Sequence, residues 1–266
     1  MAEQHPELQV RFVVQDEMRG QSHAIYLAKE YLNGPMLMVF ADTLIETDLS
    51  FLANESADAV AWVKPVIDPR RFGVAEIGKG DWVTRLIEKP KDMNNNLAVV
   101  GFYFFKQSED LLSAIESQFE QDNHLKGEFY LADAVNIMIE RGTRMRTERV
   151  DVWLDAGTTE AVLETNRYLL THGHATQLTD PGDNTIIHPV FVHPDASVET
   201  SVIGPYTSIG AGCTVKNCIV RDSILEDHAS AEDIILDRSL IGQNARVSHN
   251  AISMNIGDNS EVQLKR

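Results

Sequence analysis

Ser201-Val-Ile203-Gly-Pro-Tyr-Thr-Ser-Ile209-Gly-Ala-Gly-Cys-Thr-Val215 carries an aliphatic side chain every sixth residue, and a glycine directly follows two of them. A helix would repeat its apolar positions every ~3.6 residues and a half-buried strand every two. Six-residue spacing also joins Val192 to Val198 upstream and Ile235 to Ile241 to Val247 downstream, then Ile256 to Val262. Such spacing marks hexapeptide β-helix repeats: each short strand turns one aliphatic inward, three strands close a coil, and stacked coils share a core. A parallel β-helix is therefore expected over residues 185–266. The spacing lapses between Val215 and Ile235, where imperfect coils or loops are expected. A β-sandwich fits less well, because its strands alternate with period two and turn every ~8–12 residues.

Upstream the texture changes. Residues 172–184 collect His, Gly, Thr, Asp and Pro and read as a linker. Before them, residues 1–171 alternate strand-like and helix-like patterns: a strand over 8–14, a helix over 21–32, and a wholly apolar, buried strand over 36–41. Further strands are expected over 58–66, 72–77, 82–87, 97–105 and 145–150, with helices over 108–119, 130–141 and from Thr158 to about Leu170. That rhythm predicts an α/β domain, Rossmann-like, with a mostly parallel mixed sheet.

The formal net charge of −17 argues against nucleic acid or an anionic membrane as partner, since both would repel the chain. Two cysteines, Cys213 and Cys218, give neither a disulfide framework nor a Cys-x-x-Cys metal site, and fit a reducing cytoplasm. Residues 1–7 are polar without a leader pattern, and no apolar run approaches the ~20 residues of a membrane span.

Candidate chemistry gathers at strand ends. Asp42 follows the run Met36-Leu-Met-Val-Phe-Ala41, and Asp155 sits in Trp153-Leu-Asp-Ala-Gly-Thr158, again just past a strand. Open α/β sheets bind ligands at the carboxyl ends of strands. Two such carboxylates suit Mg²⁺, which leaves its remaining positions to water and phosphates; either Asp would equally serve as a helix N-cap. Glu88-Lys89-Pro90 pairs a carboxylate that accepts from hydroxyls with an ammonium that acts as a point charge on phosphate; a solvated charge pair at a strand end is the alternative. Gly73 and Gly101 permit close backbone approach or mark bulges. Gln15 has an amide suited to a pyrimidine edge, or stands in water. His188, His193, His228 and His249 lie in the repeats without a legible partner and read as surface histidines, although a hexapeptide acyltransferase would use one as base.

Read in order, these motifs form a series: Gln15 and Gly20, Phe-Ala-Asp42, Arg71-Phe-Gly73-Val-Ala-Glu76, Glu88-Lys89-Pro90, Ala98-Val-Val-Gly101-Phe-Tyr103, Lys126-Gly127-Glu128 and Trp153-Leu-Asp155-Ala-Gly157-Thr158. The series resembles bacterial glucose-1-phosphate thymidylyltransferases over residues 8–170, and the repeats resemble the left-handed β-helix of that family's long form. The resemblance implies that Asp42 and Asp155 hold Mg²⁺, that Glu88 accepts from sugar hydroxyls, and that Lys89 contacts the sugar phosphate. It also implies that Gly73 and Val99 offer backbone contacts to the sugar, Gln15 and Gly20 read the base, and Trp153 packs beside the sugar. The implied substrates are dTTP and glucose 1-phosphate, or the same chemistry with UTP or GTP; a homo-oligomer is expected because solenoids of this type commonly expose end and side faces that associate.

The family opens with a strand, a glycine-rich loop ending in Thr-Arg-Leu, and a Lys-Pro pair. The present chain is expected to begin at the third strand, lacking about 60 residues of two βαβ units. Without that phosphate cradle, little turnover is expected, since even one preorganised donor is worth ~10²–10³ in rate. The rival reading is a non-catalytic subunit that keeps the sugar site and the β-helix.

Overall fold

The structure is a computed structural model and describes residues 8–176 and 182–249. The chain divides into two compact units, Met1–Leu154 and Asp155–Arg266. In the first unit a short helix α1 (Gln21–Leu27) gives way to a 3₁₀ turn at Lys29–Tyr31, so the expected helix over 21–32 is one continuous α-helix for only half its length. There follow β1 (Met36–Val39), β2 (Thr43–Ile45), β3 (Ala59–Pro65), β4 (Gly73–Ile77), β5 (Val83–Glu88) and β6 (Leu97–Phe105). Then come α2 (Ser108–Glu120), α3 (Leu131–Glu140), β7 (Met145–Arg149) and β8 (Trp153–Asp155).

The main sheet runs β5-β4-β6-β3-β7, with β1 also paired to β6. It is mixed: β3 and β7 are parallel, whereas β3 with β6, β4 with β5, β4 with β6 and β1 with β6 are antiparallel. On one face α2 and α3 set Leu111, Ile115, Leu131, Val135 and Met138 against Leu86, Val99, Tyr103 and Phe105. Each such aliphatic contributes about 1.5–3 kcal/mol by leaving water. The opposite face centres on Trp62, which is wholly buried among Val60, Val100, Phe104 and Val150 and donates its indole N–H to Thr47 Oγ1 at 2.9 Å.

Two expectations fail here. Residues 8–14 form no strand, and Phe12 and Val14 are 85% and 74% exposed, because among the described residues they meet no strand to pair with. β1 is neither fully buried nor parallel. Its side chains alternate between half-buried and exposed beside the antiparallel β6. A wholly apolar run reads as a buried parallel strand only when both sheet faces are covered.

The second unit opens with the end of β8 and with α4 (Thr159–Thr171), then forms a β-solenoid over residues 185–248. Three sheets of four short parallel strands make its sides. The inward residues are Ile186, Val192 and Val198, then Ile203, Ile209 and Val215, then Val220, Leu225 and Ala231, then Leu236, Ile241 and Val247. The expected interruption does not exist. Early coils take two six-residue steps and one of five, and later coils one six-residue step and two of five, so Thr214 pairs with Ser230 and Ile219 with Ile235 after only 16 residues, where Val190 reaches Thr207 after 17. The short steps also shift the inward position: Leu236 is 6% exposed, whereas Ile235, expected inside, is 68% exposed. Ile256 and Val262 lie outside the described residues.

Shortened steps need tight corners. Thr200, Asn217 and Asp233 share a left-handed backbone at one corner of successive coils, and Tyr206, Asp222 and Arg238 do so at another. Such a conformation is uncommon outside glycine, Asn and Asp, so the Thr, Tyr and Arg positions are held by the neighbouring coils. Asn217, for example, donates its amide N–H to Glu199 O and its side-chain N–H to Asp233 Oδ1.

The division between the compact units falls ahead of α4, which belongs with the solenoid. Arg167 donates from Nε to Asp222 Oδ1 at 2.6 Å and pairs a second time with the same carboxylate. Glu160 pairs with Arg238 one coil further on. Asn166 donates to Tyr206 O at 3.0 Å and accepts from Ser208 Oγ. Leu163 and Leu170 are buried in the same unit. Among the described residues, no helix is long and apolar enough to cross a membrane.

Candidate functional site

The Glu88-Lys89-Pro90 corner is built by the β4–β5 hairpin. Gly73 pairs with Glu88, and Lys89 N–H continues the ladder by one bond to Phe72 O at 3.0 Å. Pro90 has no N–H to extend it, and a residue before proline is kept out of the right-handed helical region. Lys89 instead turns at φ 46, which brings Nζ to 4.0 Å from Glu88 Oε1 and 5.3 Å from the centre of the Tyr130 ring.

The Glu88 side chain is 20% exposed. Burial pushes its carboxyl above the usual range; Lys89 opposes this, while the negative charges of Asp133 and Glu128 add to it. A side chain at Gly73 would place Cβ 3.2 Å from Glu88 Oε2, so glycine leaves that carboxylate room. Tyr103, whose hydroxyl is pushed up by burial and by Glu88, stands on β6 of the same sheet. Val99 is 8% exposed, its side chain in the core, which leaves the backbone as its means of touching a ligand.

Trp153 meets Phe72, the residue before Gly73, edge to face at 5.0 Å between ring centres. Among the described residues its indole N–H is buried without a partner, which leaves it free to meet a bound group.

A second locus lies where β1 ends. Gly101 takes φ 75 within β6, at a bulge where register is lost between Ala61 and Val63 of β3. Phe40 fills the space; any Cβ at Gly101 would come within 2.5 Å of its ring. Phe40, Ala41 and the exposed Asp42 then border a cavity of about 670 Å³, closed on the other side by Gln21, Ala24 and Ile25 of α1. Asp42 leads into β2, so it caps no helix.

Gly20 opens α1 at φ 93, and a Cβ there would lie 2.6 Å from Phe129 N and O. The backbone uses that closeness: Phe129 N–H bonds Arg19 O and Ser22 N–H bonds Phe129 O. Gln15 donates to Gly20 O at 3.1 Å and lies 3.0 Å from His23 Nδ1, so its amide N–H braces this turn.

In the second unit Asp155 accepts from Gly157 N–H at 3.3 Å, and its carbonyl accepts from Thr165 Oγ1 at 3.1 Å. Thr158 caps α4, accepting from Ala161 N–H, so Asp155 is not the cap. Among the described residues no group of three or more His, Cys, Asp or Glu side chains stands ready to hold a metal. Mg²⁺ needs only one or two carboxylates beside water and phosphate, and the exposed Asp42 at a cavity rim fits that donor chemistry.

Sequence reasoning gave no role to Glu128, Tyr130, Asp133 or Asn136. The last two were visible as polar residues three apart on an otherwise apolar helix, a spacing that puts both on one face.

Residues 2–172 match the nucleotidyl transferase family, and the chain belongs to it. It is 26% identical over 293 residues to the glucose-1-phosphate thymidylyltransferase of Streptomyces antibioticus, spanning 97% of this chain and 80% of that one. The low-salt glycan biosynthesis nucleotidyltransferase Agl11 of Haloferax volcanii is 25% identical over 291 residues, covering 97% and 80%. The bifunctional protein GlmU of Methanococcus vannielii is 27% identical over 280 residues, covering 93% and 65%. A Bacillus anthracis protein crystallised with sucrose, provisionally assigned as a glucose-1-phosphate thymidylyltransferase, superposes with a TM-score of 0.53 at 23% identity over 67% of this chain and 71% of that one. That likeness bears on the fold alone.

Proposed function

We propose that this chain is a sugar-1-phosphate nucleotidyltransferase that takes dTTP, with glucose 1-phosphate as the reference sugar. The observation that carries the reading is the corner of β5: a shielded carboxylate and a lysine side by side over a glycine, in a chain similar along 97% of its length to a thymidylyltransferase. Glu88 accepts from sugar hydroxyls, and Lys89, held above the Tyr130 ring, provides a point charge for the sugar phosphate. A sugar-phosphate oxygen then attacks the α-phosphorus of the triphosphate in line, and pyrophosphate leaves. The protein's part is positioning and charge neutralisation rather than covalent chemistry. Asp42, and by family resemblance Asp155, are proposed as carboxylates for Mg²⁺, which supplies charge neutralisation on the phosphates.

The proposed preference for dTTP over UTP turns on one methyl group, worth about 1–3 kcal/mol of discrimination. The test measures pyrophosphate release from dTTP, UTP and GTP with glucose 1-phosphate, together with calorimetric binding of glucose 1-phosphate alone. Lys89→Ala is expected to weaken glucose 1-phosphate binding about tenfold or more, through loss of its charge-assisted contact to the phosphate. A chain that neither binds the sugar phosphate nor releases pyrophosphate would overturn the reading, and binding without release would point to a non-catalytic sugar-phosphate-binding subunit.

A further inference from the structure

Two neighbours compete for the ammonium of Lys89. Glu88 Oε1 stands 4.0 Å from Nζ, and the centre of the Tyr130 ring stands 5.3 Å from it. A carboxylate that closed on the ammonium would neutralise it and take up its N–H donors. An aromatic face attracts a cation through its quadrupole yet carries no net charge, so the ammonium keeps both its charge and its donors for an arriving anion. The lysine stem is flexible and the side chain is 54% exposed, so these neighbours decide where its head rests.

The ring is fixed from several sides. Tyr130 is 9% exposed and stands just ahead of α3. Its carbonyl accepts from Nε2 of the buried Gln118 at 3.0 Å, and the next N–H, that of Leu131, donates to Gln21 Oε1 at 3.2 Å. Its hydroxyl hydrogen-bonds Glu128. Asn136 then clamps α3 to the strand that carries the lysine: Leu86 N–H donates to Asn136 Oδ1 and Asn136 Nδ2 donates to Leu86 O, each at 2.8 Å. Leu86 precedes Lys89 by three residues, and the Lys89 backbone is set by its bond to Phe72 O and by its left-handed turn before Pro90. Ring and lysine are therefore presented to one another by backbones tied together on both sides.

We infer that Tyr130 is a positioning residue for substrate binding: its ring keeps the Lys89 ammonium from closing on Glu88, so that the lysine meets the phosphate while the carboxylate stays open to sugar hydroxyls, and Asn136 holds the ring in register with β5. The inference rests on the reading of Glu88 and Lys89 as the sugar-phosphate site. Without the aromatic face the lysine folds onto Glu88, and both contacts to the substrate weaken together.

The experiment is a double-mutant cycle, read as calorimetric binding of glucose 1-phosphate to the full chain. Tyr130→Leu, which keeps an apolar side chain but has no π face, is expected to weaken binding about three- to fivefold. Tyr130→Phe keeps the face and is expected to stay within about 1.5-fold of the parent. In a Lys89→Ala background Tyr130→Leu is expected to cause no further loss, since the lysine it positions is gone; a residue that merely supports the fold would weaken binding by the same factor in both backgrounds. Tyr130→Met, with a flexible side chain of similar reach, takes the place of the leucine variant if that one does not fold. Unchanged binding by Tyr130→Leu, an equal loss in Tyr130→Phe, or a loss that persists in the Lys89→Ala background overturns the inference and leaves the proposed function standing. If the parent chain does not bind glucose 1-phosphate, both fall.

Discussion

The two units solve the same problem, burying apolar side chains, with different economies of sequence. In the solenoid each coil repeats the last, and an inward side chain meets its equivalents one coil above and below, as Val198, Val215 and Ala231 do. In the sheet unit the core is assembled from distant parts: Trp62 on β3 meets Phe51 before it and Phe102 after it, while Glu55 reaches Arg146 on the far side of the chain. Repetition spreads the load over many similar contacts, whereas non-local assembly concentrates it in a few. The concentrated unit also holds the shielded charges, which makes it the place where chemistry is set up and where damage should be greatest.

Three measurements would break or sharpen that contrast. The largest loss should follow Trp62→Ala, which empties a fully buried indole site and leaves Thr47 without its donor; about 3–5 kcal/mol is expected in urea unfolding. Next comes Glu55→Gln. Glu55 is 7% exposed, and Arg146 bonds it twice, at 2.9 and 2.6 Å; Glu148 still pairs with the guanidinium after the substitution, so the loss of these charge-assisted bonds should cost about 2 kcal/mol. Arg146 holds the Glu55 carboxyl below its ordinary value of 4.5. The wild-type advantage is therefore present above that value and should fade as pH falls through the lowered one, so stability curves of the two proteins should converge in acid. The smallest effects distinguish two neighbours in the solenoid. Leu236→Ala should cost about 2 kcal/mol, whereas Ile235→Ala should stay within about 0.5 kcal/mol. Equal losses at the two positions would return the inward register to the one that uniform six-residue spacing implies.

The solenoid's existence was legible because Ile203, Ile209 and Val215 announce a period that no helix or hairpin shares. Its continuity was not, since a step from Val215 to Val220 and then to Leu225 looks like lost periodicity unless one allows a corner to be one residue shorter. Boundaries in the sheet unit followed from alternation and caps, with β6 and the start of α2 where expected. Residues 8–14 misled because strand propensity says nothing about whether a partner strand is present. Glu88 and Lys89 stood out as a dipeptide ahead of proline. Asn136 did not, because what gives it meaning is its side-chain clamp on Leu86, a contact across 50 residues. Gln15 stood out by its amide alone; the bond from its side-chain N–H to Gly20 O, five residues on, is not announced by spacing.

The straps from α4 to the solenoid, Arg167 to Asp222 and Glu160 to Arg238, bear on how such a protein is inherited. The family match ends at residue 172, after α4, whereas the compact unit that contains the solenoid begins at Asp155, before it. A gene fusion that joined a foreign solenoid at residue 172 would bring none of the corner residues that α4 grips. The self-contained unit is thus longer than the repeats: a solenoid grafted onto another chain is expected to keep these pairs only if it brings α4, and with it the Asp155-Ala-Gly-Thr158 turn, along.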